Sequence, residues 1–225
     1  MSKQQTQIPI RTLILDFDGT MADTVGGILA TMRATFEKLS LPILPNEKVS
    51  SLIGLPLKGM FREMVDGATE EYLDLCCSTY RELFPGIALT RIDLFPGVEH
   101  TIREMHRQGV AIALASSRSH KSLDFFMKKF SLEECIGVIM GDQDVVNKKP
   151  HPEMVQTILE RTGTLPSQAL VVGDTTFDIR MGSSAGAHTC GVTYGNHSRQ
   201  TLLEASPTFL VDSFEEILSI ARPLD

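Results

Sequence analysis

The sequence predicts an α/β fold: a parallel sheet with helices on both faces and an all-helical segment inserted after the first strand. Three observations carry that prediction. Short apolar runs of strand length alternate with amphipathic stretches from about residue 96 to the end of the chain. A further apolar run, Thr12–Leu15, stands apart near the start. Between them, residues 21–91 show one helical face after another and no strand pattern. Strands joined by helices of this length require right-handed crossovers, which gives a Rossmann-like parallel sheet.

The run Leu13-Ile14-Leu15 ends abruptly in Asp16-Phe17-Asp18-Gly19-Thr20. Residues two apart on an extended chain point the same way, so Asp16 and Asp18 can face one site, with Gly19 supplying a tight turn. Two such acids repel, which favours a cation between them or one raised pKa. An Asx-rich surface turn accounts for the same residues. The inserted segment then begins. Val25, Ile28, Leu29, Met32, Phe36 and Leu39 form a helical face ending at Leu41-Pro42. Asn46 is placed to cap a short helix to Ile53, and Gly54-Leu55-Pro56 breaks the chain. Leu57, Met60, Phe61, Met64 and Val65 form the next face, and Tyr72, Leu73, Cys76, Tyr80, Leu83 and Phe84 another, stopped by Pro85-Gly86. A segment of roughly 70 residues is only marginally stable alone, so it is expected to pack as a lid. The expected division is residues 1–20 and 92–225 as the α/β core and 21–91 as the helical insert.

After Pro96-Gly97 a helix (Val98, Ile102, Met105) leads to a strand over 110–115 that ends at Ser116-Ser117. A helix with Leu123, Phe126, Met127 and Phe130 inward precedes a strand over 137–140. A polar loop then holds Lys148-Lys149-Pro150-His151-Pro152, and Met154, Val155, Ile158 and Leu159 mark another helix. The strand over 169–172 ends at Gly173-Asp174. A helix, a strand near 189–192, a short helix from Ser198, a strand over 209–211 and a terminal helix complete the chain.

Composition narrows the function. The 225 residues are 42% hydrophobic and 22% charged, ordinary for a globular protein with a full core. A net charge of −7 argues against broad nucleic-acid or membrane-surface binding. Trp is absent and aromatics make up 6%, so no aromatic binding platform is expected. Residues 1–7 are polar, without the apolar core of a signal peptide, and no apolar run reaches the length of a membrane span. Cys76, Cys77, Cys135 and Cys190 form no CxxC pair, which fits reduced thiols and a cytoplasmic location.

In an open parallel sheet, ligands bind beyond the carboxyl ends of the strands. Three apolar strands here end in reactive groups: Asp16 with Asp18, Ser116 with Ser117, and Asp174 with Asp178. If these strands are neighbours, four carboxylates converge on one crevice, an oxygen-rich set suited to Mg²⁺ with room for an anionic substrate. Lys149 is the nearby cation. Plainer roles exist for each group. Ser116-Ser117 can cap the following helix, Thr175 to Asp178 fits a capping box, and Lys148-Lys149 can be a solvated pair. His120 and His151 read as loop histidines and His188 as part of a strand.

Taken together, Asp16-Phe17-Asp18-Gly19-Thr20, strand-terminal Ser116, Lys149 before Pro150-x-Pro152, and Gly173-Asp174-x-x-x-Asp178 resemble the four motifs of the haloacid dehalogenase superfamily, in order along essentially the whole chain. The helical insert resembles that superfamily's helical cap. Gly173-Asp174-Thr175 and the Gly191-Val192-Thr193-Tyr194-Gly195 run are similar to the phosphoglycolate phosphatase branch, although Ser116-Ser117-Arg118 stands where those enzymes often carry Thr-Asn-Lys.

The resemblance implies a role for each residue. Asp16 is the expected nucleophile and Asp18 the acid and base. Mg²⁺ is expected on Asp16, the backbone carbonyl of Asp18, Asp174 and, through water, Asp178. Ser116, Ser117, Lys149 and the chain at Gly19 and Thr20 are expected to hold the phosphoryl oxygens. Substrate selection is expected from Gly54, Leu55 and Lys58 of the insert, with Arg118. The expectation is therefore a cytoplasmic Mg²⁺-dependent phosphatase acting on a small phosphorylated metabolite. A sugar phosphomutase, or a binding module without turnover, is the alternative.

Overall fold

The computed structural model describes residues 7–89 and 91–224. The polar stretch 1–6 lies outside them. The chain enters through β1 (Ile8–Ile10) and β2 (Thr12–Leu15). All four residues of β2 are buried, as a strand covered on both faces requires. A turn over 16–21 leads to β3 (Ala22–Asp23) and then to α1 (Val25–Lys38), α2 (Asn46–Ser50), α3 (Leu57–Met64) and α4 (Glu70–Ile87). β4 (Asp93–Leu94) returns beside β3, with Ala22 opposite Leu94 and Asp23 opposite Asp93.

That ribbon corrects the expectation of a strandless 21–91 segment; two residues are too few to show a period in sequence. Two helix ends also differ from expectation. Pro45, not Asn46, occupies the N-cap position of α2. α4 runs past Pro85 to Ile87. In the last turn a proline forfeits one hydrogen bond, and Ala88 N–H to Phe84 O at 2.8 Å closes the helix end regardless.

The core continues with α5 (Val98–Arg107), β5 (Ala111–Ala115), α6 (His120–Lys129), β6 (Ile136–Met140), α7 (Glu153–Thr162), β7 (Ala169–Gly173), α8 (Thr176–Ser184) and β8 (His188–Val192). α9 (Arg199–Glu204), β9 (Phe209–Val211), α10 (Ile217–Ile220) and β10 (Ala221–Pro223) complete it. β10 pairs in parallel with β1 and so ties the C-terminal segment to the start of the chain, a pairing the sequence pattern did not announce.

Six strands form one parallel sheet in the order β6-β5-β2-β7-β8-β9. Alternation along β2 sends Leu13 and Leu15 to the face shared with the insert, and Ile14 to the opposite face with Val155, Ile158 and Val171. The chain lays β5 and β6 on one side of β2 and then crosses to β7 on the other, so strand order reverses at β2. A crevice opens at such a point. Register fixes what faces it: Leu15 lies opposite both Leu114 and Val172, so the residues following all three strands share one edge.

Candidate active site

β2 keeps its direction one residue past its end, because Asp16 N–H donates to Val172 O at 3.0 Å. The chain then turns at Gly19, whose φ of +82° lies in the left-handed region. A Cβ there would stand 2.2 Å from Asp174 Oδ2, so only glycine lets the turn lie against that carboxylate.

The turn, β7 and α8 bring Asp16, Asp174 and Asp178 together. One oxygen from each lies within 4.8 Å of the others, and all three residues are buried. Lys149 enters from the β6–α7 loop and places Nζ 2.5 Å from Asp16 Oδ1 and 2.6 Å from Asp178 Oδ1. Asp178 forms the anticipated capping box and also reaches the acidic cluster. Its Oδ2 accepts from Thr175 N–H (3.1 Å) and Thr175 Oγ1–H (2.6 Å) in a capping box, while Oδ1 faces Lys149. Asp174 is held by Thr20 Oγ1–H on Oδ1 (3.0 Å), and by Asn196 N–H and Nδ2–H on Oδ2, each 2.7 Å.

Three buried carboxylates around one ammonium are electrostatically incomplete. Burial pushes the Asp16 pKa well above the usual carboxylate range; Lys149 opposes that shift, and Asp178, Asp174 and Asp18 add to it. Burial, followed by repulsion from Asp178, raises Asp174 to about 7. Burial disfavours the charge on Lys149 too, but Asp16 and Asp178 outweigh it and hold the ammonium above its ordinary pKa. Hard oxygen donors with surplus negative charge fit a Mg²⁺-type cation. Asn196 Oδ1, beside the triad, is buried without a hydrogen-bond partner and remains an acceptor for a metal-bound water.

Asp16, alone of the triad, lines a cavity of about 490 Å³. Asp18 and Ser116 line it from the core, and Gly54, Leu55, Leu57 and Met60 from the insert. Ser116 Oγ accepts from Arg118 N–H at 3.3 Å, which leaves its own O–H to donate into the cavity.

Several residues have partners the sequence did not suggest, although Ser117 and Arg118 do line the cavity. Arg118, expected to select substrate, is committed to Asp18: Nε reaches Oδ1 and Oδ2 at 2.9 and 2.8 Å, and Nη2 reaches Oδ1 at 2.7 Å. Its guanidinium carbon packs 4.9–5.4 Å from the ring centres of Phe17, Phe84 and Phe126. The Asp18 carboxylate consequently stands apart from the acidic triad, and only its backbone carbonyl, 3.5 Å from Asn196 Nδ2, faces that way.

Lys58, also expected to select substrate, is tied to Glu70 at 3.0 Å and Asp74 at 2.6 Å, and Leu57 and Met60 line the cavity in its stead. Ser117, expected on phosphate, donates to Gly54 O at 2.7 Å and fastens the insert to the core. Thr20, expected likewise, gives its hydroxyl proton to Asp174. Ser119, rather than Ser116 or Ser117, caps α6 by accepting from Ser122 N–H. Lys148 is no solvated pair with Lys149; it donates to the carbonyls of Asp142 and Val145. His120 bonds Asp144 and His151 accepts from Glu153 N–H, so neither joins the triad. Asn196 was not singled out as a site residue, and its only signal is its place just after Gly195 at the end of a strand-to-loop run.

Comparison with known proteins gives a consistent result. The family model described as haloacid dehalogenase-like hydrolase matches residues 13–192. A relative named "Probable phosphatase IndB", from Dickeya dadantii, is 31% identical and covers 94% of each chain. A phosphoglycolate phosphatase of Salmonella typhimurium is 27% identical over 93% of this chain and 91% of its own. Among solved structures, a haloacid dehalogenase-like hydrolase from Bacteroides fragilis superposes with a TM-score of 0.88 at 22% identity, covering 92% of this chain and 99% of the other.

Proposed function

Since the chain belongs to the haloacid dehalogenase-like hydrolase family, we propose that it is a Mg²⁺-dependent phosphatase that cleaves a small phosphorylated metabolite through an aspartyl phosphate on Asp16. The observation that carries this reading is the buried Asp16 carboxylate, which lines the cavity and is held by Lys149 with Asp174 and Asp178 beside it. Residues 21–91 act as a cap over the site. The four cysteines, all free and buried, agree with a reducing cytoplasmic setting.

Asp16 attacks phosphorus, and the bond from phosphorus to the ester oxygen breaks. Asp18 gives its proton to that leaving oxygen. The resulting Asp18 carboxylate then takes a proton from water, whose oxygen attacks phosphorus, and the bond to Asp16 breaks to release inorganic phosphate. Arg118 holds Asp18 as the ionised carboxylate, so Asp18 must open that fork and take up a proton from solvent before it acts as the acid. Lys149 Nζ and Ser116 O–H donate to the phosphoryl oxygens as charge spreads over them. Asp16, Asp174, Asp178 and the Asp18 carbonyl would hold Mg²⁺, which would supply the positive charge that lets a carboxylate approach a phosphate dianion.

The test is p-nitrophenyl phosphate hydrolysis with Mg²⁺ and with excess chelator, alongside quenched-reaction mass spectrometry of Asp18→Asn. Activity should require Mg²⁺, and phosphate should be found on Asp16. Asp16→Asn should lose activity by several orders of magnitude. Turnover in chelator, or phosphate trapped on another residue, would overturn the mechanism. Transfer between sugar positions with little phosphate release would identify a mutase.

A further inference from the structure

We propose that the alcohol half of the substrate is an extended apolar body with an anionic group at its far end, an ester distinctly larger than phosphoglycolate. The proposal rests on the phosphatase reading above and asks what the space over Asp16 is shaped to hold. At about 490 Å³, the cavity falls among pockets that enclose drug-sized ligands. A phosphoryl group with a two-carbon acid would leave most of it to water. Much of its wall offers such water no hydrogen bond: Leu55, Leu57 and Met60 from the insert, and Phe125 from α6, are apolar. Phe125 is 45% exposed, a large aromatic surface left uncovered at the cavity. Methylene or ring surface on a ligand is the chemistry that covers such a wall, at roughly a threefold to fourfold gain in affinity per buried methylene.

The charges in the cavity divide in an informative way. Each of its acids has a cation: Lys149 on Asp16, Arg118 on Asp18, and Lys148 on Asp142 at 3.4 Å. Two basic residues that also line it, Arg81 on α4 and Lys121 on α6, belong to no salt bridge found among the described residues. One comes from the insert and the other from the core, and both are exposed side chains. In a chain of net charge −7, unmatched cations facing one cavity mark a place for an anion. A carboxylate and a second phosphate both satisfy that chemistry.

A substrate series separates these possibilities. Initial rates would be measured with Mg²⁺ on p-nitrophenyl phosphate, 2-phosphoglycolate, hexyl phosphate, 6-phosphooxyhexanoate, hexane-1,6-diol bisphosphate and inorganic pyrophosphate. The terminally anionic six-carbon esters should exceed both 2-phosphoglycolate and hexyl phosphate in kcat/KM by about tenfold, the yield of one well-placed charged hydrogen bond. Their ratio to each other identifies the preferred anion, carboxylate or phosphate. In an Arg81→Gln, Lys121→Gln double variant the preference for a charged over an uncharged six-carbon ester should collapse toward unity, with the change in KM. Calorimetric binding to Asp16→Asn should show the same ranking without turnover. A preference for 2-phosphoglycolate or pyrophosphate, or equal rates for hexyl phosphate and the charged esters, would overturn the proposal. No phosphate released from any compound, p-nitrophenyl phosphate included, would instead bring down the phosphatase reading on which it rests.

Discussion

Asp174→Asn removes charge from the most crowded part of the site, and its effect on stability can be worked out. The Asp174 carboxyl is raised from 3.8 to about 7, by burial first and by Asp178 second. A folded-state pKa above the unfolded value means that the folded chain holds its proton more tightly. The stability tied to that proton is complete below about pH 4 and is lost as pH rises through about 7. At about 1.4 kcal/mol per unit, the loss amounts to roughly 4 kcal/mol in metal-free protein at pH 8.

Asparagine at this position is neutral at every pH. It keeps an acceptor for one set of donors from Thr20 and Asn196, and turning an NH₂ toward the other costs about 1 kcal/mol. In chelator at pH 8 the variant should therefore be about 3 kcal/mol more stable than the parent. For a chain of this size that is roughly 6–12 °C in Tm. Lowering the pH to 5.5 should shrink the margin by about 2 kcal/mol. Urea titrations and thermal melts at the two pH values would measure it, and added Mg²⁺ should stabilise the parent but not the variant. A variant less stable than the parent at pH 8, with a deficit independent of pH, would refute the claim that Asp174 is an electrostatic liability held for a cation.

Three further outcomes follow from individual contacts. Arg118→Gln removes the fork on Asp18 and leaves a partly buried carboxylate without its cation, so kcat should fall about tenfold to a hundredfold while KM for p-nitrophenyl phosphate changes little, as steady-state kinetics would show. Gly19→Ala forces a Cβ to within 2.2 Å of Asp174 Oδ2 at φ +82°, and should cost about 1–3 kcal/mol by urea titration and weaken Mg²⁺ binding by calorimetry. Lys58→Ala breaks ion pairs on the exposed side of the insert, and should shift Tm by less than about 2 °C and leave the ranking of phosphate esters unchanged.

What the sequence disclosed and what it withheld divide along physical lines. β2, β5 and β7 were legible because a strand covered on both faces must be a continuous apolar run, and the acids that end these strands stand out against it. Gathering Asp16, Asp174 and Asp178 needed the rule that parallel strands share a carboxyl edge together with the adjacency of β2 and β7, which the sequence pattern left open. The partners of charged side chains were not legible, since they are set by tertiary approach. Lys58 and Arg118 look alike as basic residues near a loop. One is drawn to Glu70 and Asp74 of a neighbouring helix, and the other threads between three aromatic rings to reach Asp18. Asn196 was missed for the same reason, as an amide in a loop that becomes a double donor only when β8 lies beside β7. The β3–β4 and β1–β10 pairs are too short for alternation to show.

The turn after β5 joins the two halves of the site through three consecutive residues. Ser116 faces the cavity, Ser117 holds the carbonyl of Gly54 in the insert, and Arg118 holds the carboxylate of Asp18 while packing on Phe84 of α4. Gly54, at φ +106°, also stands close against Thr175 and Phe177 at the start of α8, where an added Cβ would lie 3.1–3.2 Å from both. Motion of the insert away from the core would strip Phe84 from the guanidinium and the Ser117 hydroxyl from its acceptor together. The carboxylate assigned to proton transfer is thereby linked to the seating of the insert through Arg118. A residue with a shorter or non-planar head at position 118 would not reach Asp18 with two parallel bonds while stacked among three rings. The turn that departs from the phosphoglycolate phosphatase pattern at Ser117-Arg118 thus binds the insert and the Asp18 carboxylate at once.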